Sequence, residues 1–285
     1  MKRNSSGQAL LIILLVMAVA LTIGLSVVSR SITDIRISQE QEESARAFSA
    51  AEAGLESLLA TGGAPGSVGD FTIDTDIEPL GNSSTFVFPK EISAGDTQTV
   101  WLVDHLDEDT LGTDFYSGTD IELYWGNEDT ADDQETTPAL EAIIIYKEGG
   151  EYKTRRAAFD PKSDRTATSD FTLVYKGNYS LGEDKFSFKA KFSDDDDADF
   201  PSGAEIYALR LKFLYNIKAN GGVAHLLGVQ GIGPGNTNRL PLQGTCYAST
   251  AFSETTGISR KVEQCQFYPS LSGIFDYVLF SESSL

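Results

Sequence analysis

Two cysteines are the only thiols in the 285-residue chain, Cys246 and Cys265. The strand-like stretches around them flank a turn at 254–257, and a hairpin centred between Thr255 and Thr256 places the two sulfurs directly opposite each other. Opposed positions on antiparallel strands have Cα separations that suit a disulfide. We therefore predict a Cys246–Cys265 disulfide, with two buried free thiols as the alternative. A metal site is the weaker interpretation, because no partner ligands occur at zinc spacing.

No set of residues predicts catalysis. The two histidines, His105 and His225, are not accompanied by a GxSxG nucleophile motif. The glycine-rich stretch 228–235 lacks the GxGxxG spacing and is interrupted by Pro234, which disfavours a nucleotide site. The aspartates of 194–199 resemble a calcium loop only in density, without EF-hand spacing, so a solvated loop is the favoured interpretation. We predict no enzyme activity, no metal and no cofactor.

Charge restricts the partners. The formal net charge is −20, and nearly all of it lies after residue 60. Such a surface repels phosphate backbones, so we expect no direct binding of nucleic acid.

The elements that position these residues begin with an uncharged run. No charged residue occurs between Gln8 and Ser29, and residues 9–28 are long enough to cross a bilayer as a helix. Lys2 and Arg3 before the run predict a cytoplasmic N-terminus, with the remainder outside. No Gly or Pro interrupts residues 30–53, so we predict one helix over 8–60, membrane-spanning at 9–28 and amphipathic at 30–60. The predicted packing seam of the amphipathic half consists of Ile37, Gln41, Ser44, Phe48, Ala51, Leu55 and Leu58.

Charged residues four apart should also pair along this helix. The expected pairs are Arg30 with Asp34, Arg36 with Glu40, and Glu42 with Arg46.

The chain begins with the basic, polar leader MKRNSSG, continues with the apolar run, and closes its predicted helix with AFSAAEAGLESLL. This arrangement resembles the class III leader and N-terminal helix of type IV pilins, and its AAEAGL ending is similar to PilX-type minor pilins. The resemblance implies cleavage after Gly7 by a prepilin peptidase and methylation of Gln8. It also implies assembly with other pilin subunits through an apolar helix surface. The residues assigned to that surface are Ala9, Leu10, Leu11, Ile12, Leu14, Leu15, Leu21 and Gly24.

One position departs from the pattern of the family. Most major pilins carry Glu at the fifth mature position, where this chain has Ile12. The departure favours a minor or tip-proximal subunit over a major pilin.

The remainder, residues 61–285, has the alternation of strands and predicts a mostly antiparallel β domain, which makes the chain α+β. A hairpin is expected around the turn 148–151, and an apolar strand near residues 273–280. The clearest alternation covers 207–217, and its predicted partner is 185–192, across the turn DDDDADFPSG.

These features together predict a structural subunit of a type IV pilus-like filament. It would span the cytoplasmic membrane once before assembly and lie in an extracellular, cell-surface filament afterwards, with a leader at 1–7 and a β-rich domain at 61–285. The alternatives are a pseudopilin of a secretion or DNA-uptake system, and a single-pass anchored surface adhesin. A cleaved secretory leader fits less well, because no good cleavage motif follows the apolar run.

Overall fold

A computed structural model describes residues 6–107, 109–195 and 198–273 of the chain. The first element is helix α1, Ser6–Thr61, which agrees closely with the predicted helix. It ends where the sequence turns to Thr61-Gly62-Gly63, and Gly62 takes a positive φ of 73° that disfavours further helix. The leader segment 1–5 and most of the C-terminal strand predicted near 273–280 lie outside the described residues.

Strands dominate the rest of the described chain. In order they are β1 Ser67–Val68, β2 Phe71–Gly81, β3 Thr85–Val87, β4 Thr97–Trp101, β5 Val103–His105, β6 Leu111–Phe115, β7 Asp120–Asn127, β8 Ala139–Glu148, β9 Glu151–Asp160, β10 Thr172–Leu173, β11 Tyr179–Leu181, β12 Asp184–Lys191, β13 Glu205–Leu214, β14 Leu227–Ile232, β15 Leu242–Phe252 and β16 Ser259–Phe267. A short helix, α2, covers Ser163–Thr166. The architecture is therefore a long apolar N-terminal helix followed by sheets that are mainly antiparallel, in which β10 pairs with β9 in parallel.

The chain divides into two compact units. Unit 1 comprises Met1–Ile77 and Tyr247–Gln264, and unit 2 comprises Glu78–Cys246 and Cys265–Leu285. In unit 1, the second half of α1 packs on strands of the sheet ordered β1-β2-β15-β16.

Small side chains make the contact between α1 and the sheet in unit 1. Ala47, Ala50 and Ala51 are buried with Phe71 and Ile73. The predicted seam is correct at Ala51, Leu55 and Leu58, which are buried, and wrong at two large residues. Phe48 is 45% exposed, because the face turned to the sheet carries Ala47, Ala50 and Ala51 in that part of the helix. Ile37 is 47% exposed, because it lies in the stretch 31–40, where every residue of the helix is exposed.

Gly54 shows why this face is built from small residues. A Cβ atom at position 54 would lie 2.7 Å from Cγ2 of Ile73 and closer still to Oγ of Ser249. Glycine therefore sets the distance between the helix and the sheet, since a larger residue would force one of them to move.

Unit 2 contains two five-stranded sheets, with strand orders β10-β9-β8-β13-β4 and β11-β12-β7-β14-β3, and a two-stranded sheet of β5 and β6. One apolar cluster is shared by the two large sheets. Alternate residues of β8 and β13 face it from one sheet, and alternate residues of β7 face it from the other. Trp125, Phe159 and Phe188 are among its fully buried members. An internal core of this kind is what the period-two sequence pattern requires.

The hairpin predicted around residues 148–151 is confirmed. Glu148 pairs with Glu151, so the loop has two residues, Gly149 and Gly150. Both have positive φ angles, 63° and 89°, which is the geometry that favours glycine in tight hairpins.

The predicted partnership of residues 185–192 with 207–217 is wrong. Strand β12 lies between β11 and β7, whereas β13 lies between β8 and β4 in the other large sheet. The connecting segment therefore crosses from one sheet to the other instead of turning back as a hairpin.

The tight contact at Gly54 generates a test. We expect Gly54→Leu to lower the free energy of unfolding by about 1–3 kcal/mol, because overpacking outweighs the gain in helix propensity. Gly24→Leu is the matched control, since a Cβ at position 24 meets nothing within 4 Å on the same helix. Denaturant unfolding of the full chain in detergent, followed by a tertiary-structure signal, measures both. Equal stability of the two variants would contradict this packing.

Candidate membrane-anchoring and assembly surface

The first half of α1 forms a continuous apolar surface. The residues Leu10, Leu11, Ile12, Leu14, Leu15 and Leu21 are each 60% to 66% exposed. Gly7, Gln8 and Ala9 lie at the start of the same helix. Gly24 leaves open space on its own face of the helix. The structure thus places all the predicted processing and assembly residues on one uninterrupted helix. From Leu10 onward, apolar side chains are exposed around the circumference of this helix.

This surface has the length and chemistry of a membrane span. The described chain contains one helix that is long and apolar enough to cross a bilayer. Helical backbone satisfies its own N–H and C=O groups, and the hydroxyl of Thr22 also donates to the carbonyl of Val19 at 2.8 Å. Such a segment can therefore be buried in hydrocarbon, or against the apolar surface of other helices, with all of its polar groups hydrogen-bonded.

A charged segment follows the apolar half. Arg30, Asp34, Arg36 and Glu40 are exposed, and within the described residues they form no ion pair, in contrast to the predicted i, i+4 pairs. Arg46 pairs with Glu43 at 3.2 Å and with Asp70 at 3.3 Å, and the predicted pairing with Glu42 is wrong. Asp70 precedes β2, so Arg46 links the helix to the sheet within unit 1.

The two cysteines are joined. Cys246 and Cys265 form a disulfide with their Cα atoms 3.9 Å apart. The hairpin is centred as predicted, because the backbone N–H of Ser253 donates to the carbonyl of Ile258 at 3.0 Å. Glu263 lies beside the sulfurs. Sulfurs bonded to each other are not thiolates, so this group is not a metal site in its oxidised form.

Reduction of this disulfide tests its contribution to stability. Closing a loop between residues 19 apart is expected to stabilise the fold by roughly 3 kcal/mol, through loss of freedom in the unfolded chain. Dithiothreitol should lower the unfolding midpoint of the wild-type chain. The double variant Cys246→Ser/Cys265→Ser should start from the lower midpoint and ignore the reductant. Alkylation of free thiols in the unreduced, unfolded chain would contradict the pairing.

The histidines occupy structural positions. His225 is 3% exposed, and its Nδ1 accepts a hydrogen bond from the backbone N–H of Asn127 at 3.2 Å. Burial lowers the pKa of His225 below its ordinary value, and the nearby Glu91 carboxylate opposes the shift. His105 stacks on the ring of Tyr268 at 3.9 Å, and burial lowers its pKa too, against the attraction of Asp104.

These shifts predict a pH dependence. As the pH falls below about 6.5, the unfolded chain binds protons at its histidines before the folded chain does. The unfolded state then holds more protons, so the free energy of unfolding should fall between pH 7.5 and 5.5. His225→Asn should flatten this dependence, and His105→Asn should leave the part due to His225. Denaturant titrations at the two pH values measure the change. A wild-type chain that gains stability on acidification would contradict this assignment.

The acidic cluster predicted as a solvated loop is partly engaged by backbone. The Asp194 carboxylate accepts from the N–H of Lys191 at 2.8 Å, and that of Asp195 accepts from the N–H of Ala158 at 3.0 Å. Asp196 and Asp197 lie outside the described residues. Two of the carboxylates that a calcium site would need are therefore already hydrogen-bonded to backbone. Asp194 bonds the residue at the start of the loop, and Asp195 bonds the neighbouring strand β9.

Unit 2 contains a buried ionic group that was not predicted from the sequence. Asp160 is fully buried, and its Oδ1 lies 2.7 Å from Nη2 of Arg165 and accepts from the N–H of Lys162. The Lys162 ammonium lies 2.6 Å from Glu135. The only sign of this group in the sequence is the short run Asp160-Pro161-Lys162. That run does not predict a buried ion pair, because a charged residue at the end of a strand is more often solvated. The group holds the connection between β9 and α2 against the loop that contains Glu135.

Comparison with known proteins supplies no relative: no protein-family model, no curated protein and no solved structure matches this chain.

Proposed function

We propose that this chain is a structural subunit of a type IV pilus-like surface filament, in the manner of PilX-type minor pilins. One observation carries the proposal. A single helix joins an apolar half, exposed all round between Leu10 and Val28, to a second half that packs through small residues on a sheet. An anchor alone requires the first half. The rigid continuation into a folded unit also suits a subunit that is moved and packed by its helix.

Assembly on this proposal is a transfer between two dry environments. Once the leader has been cut between Gly7 and Gln8, the apolar half of α1 lies in the membrane. It then leaves lipid for a bundle of helices from other subunits, so its side chains never meet water. Ala18, Ala20, Gly24 and Ser26 provide small positions where neighbouring helices approach closely. The partners are the prepilin peptidase, the assembly machinery and other pilin subunits.

The β-rich remainder faces the exterior on this proposal. Its disulfide suits an oxidising compartment, and the net charge of −20 favours solubility and repels other acidic surfaces. Ile12 occupies the position where most major pilins carry Glu, and this supports a minor subunit. Display or adhesion by the β domain would then be its contribution to the filament.

Processing is the first test. In cells that make the prepilin peptidase, intact-mass and N-terminal analysis should find a chain that begins at N-methylated Gln8. Gly7→Leu should leave the chain at full length, because the resemblance places the cleavage after glycine. Ser6→Ala, one residue earlier, is the matched control and should be processed normally.

The fate of the wild-type chain separates the alternatives. A wild-type chain that keeps Met1 and is still displayed on the surface would overturn the pilin-like proposal and favour a plain membrane anchor. Processed protein that appears in sheared filaments supports the pilin. Processed protein that never leaves the cell envelope supports a pseudopilin instead.

A further inference from the structure

A partly exposed group of aromatic and charged residues on unit 2 is unexplained by folding or by helix assembly. It consists of Phe115, Lys147, Tyr152, Glu205 and Tyr207, which we call the aromatic cluster. The Tyr207 ring lies 5.5 Å from the ring of Tyr152 and 5.2 Å from that of Phe115, centroid to centroid. Tyr152 is 69% exposed. The Tyr152 ring is open to water and contributes little to a core, whereas Phe115 and Tyr207 are half-buried beside it. The exposure of Tyr152 therefore calls for another cause.

The backbone brings the cluster together. Tyr152, Lys147 and Glu205 lie in one row across β9, β8 and β13. The pairing of β13 with β8 shifts register between Ile206 and Ala208, so Tyr207 lies at a bulge. Its carbonyl accepts from the N–H of Leu102. Bulges re-aim a side chain, and this one places the phenol of Tyr207 beside Glu205, at 3.2 Å from Oε2.

Polar groups of both kinds surround the rings. The Lys147 ammonium lies 3.8 Å from the Glu205 carboxylate and 5.7 Å from the centre of the Tyr152 ring. The cluster thus offers an ammonium donor, a carboxylate acceptor and two phenols. Partial burial raises the pKa of Tyr207 to about 12, so its hydroxyl keeps its proton at neutral pH. Donors and acceptors around an apolar ring face suit a ligand that is apolar on one side and hydroxylated at its edge.

The charges of the cluster and of the whole chain disfavour both cationic and anionic ligands. A cation would meet the Lys147 ammonium, which already lies over the Tyr152 ring. An anion would approach a chain of net charge −20. Lys147 and Glu205 neutralise each other, so the cluster itself favours neither sign. We propose that the aromatic cluster binds an uncharged saccharide, whose C–H face stacks on Tyr152 while its hydroxyls reach Glu205, Lys147 and Tyr207.

The experiment uses the full chain, dispersed in a polyoxyethylene detergent, because sugar-headed detergents would compete. A printed array of uncharged and sialylated oligosaccharides comes first, followed by calorimetric titration of the strongest uncharged ligand. Tyr152→Ala should weaken that binding about tenfold, the loss expected for one stacking ring. Tyr175→Ala is the matched control, since Tyr175 is 76% exposed on the same unit and lies outside the cluster.

The outcomes are distinct. Binding of an uncharged glycan that is lost in Tyr152→Ala and kept in Tyr175→Ala supports the proposal. An array without uncharged ligands, a preference for sialylated ones, or equal binding by both variants overturns it. If the cluster binds a protein instead of a saccharide, the array should show no binding, and this result would also overturn the saccharide proposal. Because binding is measured on dispersed chains, failure here leaves the filament proposal standing, and failure of processing leaves the saccharide proposal standing.

Discussion

The hydration cost of the first half of α1 is the constraint on which the rest of the molecule depends. Its leucines, isoleucines and valines are exposed on every side, and leaving one such side chain in water instead of an apolar environment costs about 1.5–3 kcal/mol. No charge interrupts the stretch between Gln8 and Ser29. The helix must therefore be covered by something other than this chain's own sheets. The helix satisfies its own backbone groups, and lipid and like helices are two coverings that keep its apolar side chains out of water; they are the two environments proposed for it.

The second half of the same helix meets a different requirement. It is covered by strands of the same chain, and it is shaped for them: Ala47, Ala50, Ala51 and Gly54 allow a close approach, and Arg46 reaches Asp70 at the edge of that contact. The core of unit 2 is enclosed by the two large sheets of that unit. One continuous helix thus combines an apolar half that the described part of this chain does not cover with a second half that packs on strands of the same chain.

The sequence was sufficient to predict those features that depend on residues close together in the chain. The extent of α1, the Gly149-Gly150 hairpin and the pairing of Cys246 with Cys265 all follow from helix breakers, turn residues and strand symmetry. Contacts distant in sequence were not predictable in this way. The partner of β13 was predicted wrongly because a strand with alternating apolar and polar residues can join any sheet that has one buried and one solvated face. Phe48 was placed in the seam because hydrophobicity was weighed above size, whereas close packing selected the neighbouring alanines. The Asp160 and Arg165 pair and the aromatic cluster depend on register, bulges and loops that the sequence does not disclose.

The central claim is that the apolar half of α1 stays away from water before and after assembly. Spin labels test it directly, because both native cysteines are in a disulfide and a single added cysteine can be labelled. Labels at Leu15 and at the solvent-exposed Ser49 would be probed by collision with oxygen and with a water-soluble nickel chelate. The account predicts that the label at Leu15 is shielded from nickel in membranes and in filaments, while the label at Ser49 is open to it in membranes. Ready access of nickel to Leu15 in either state would contradict the account.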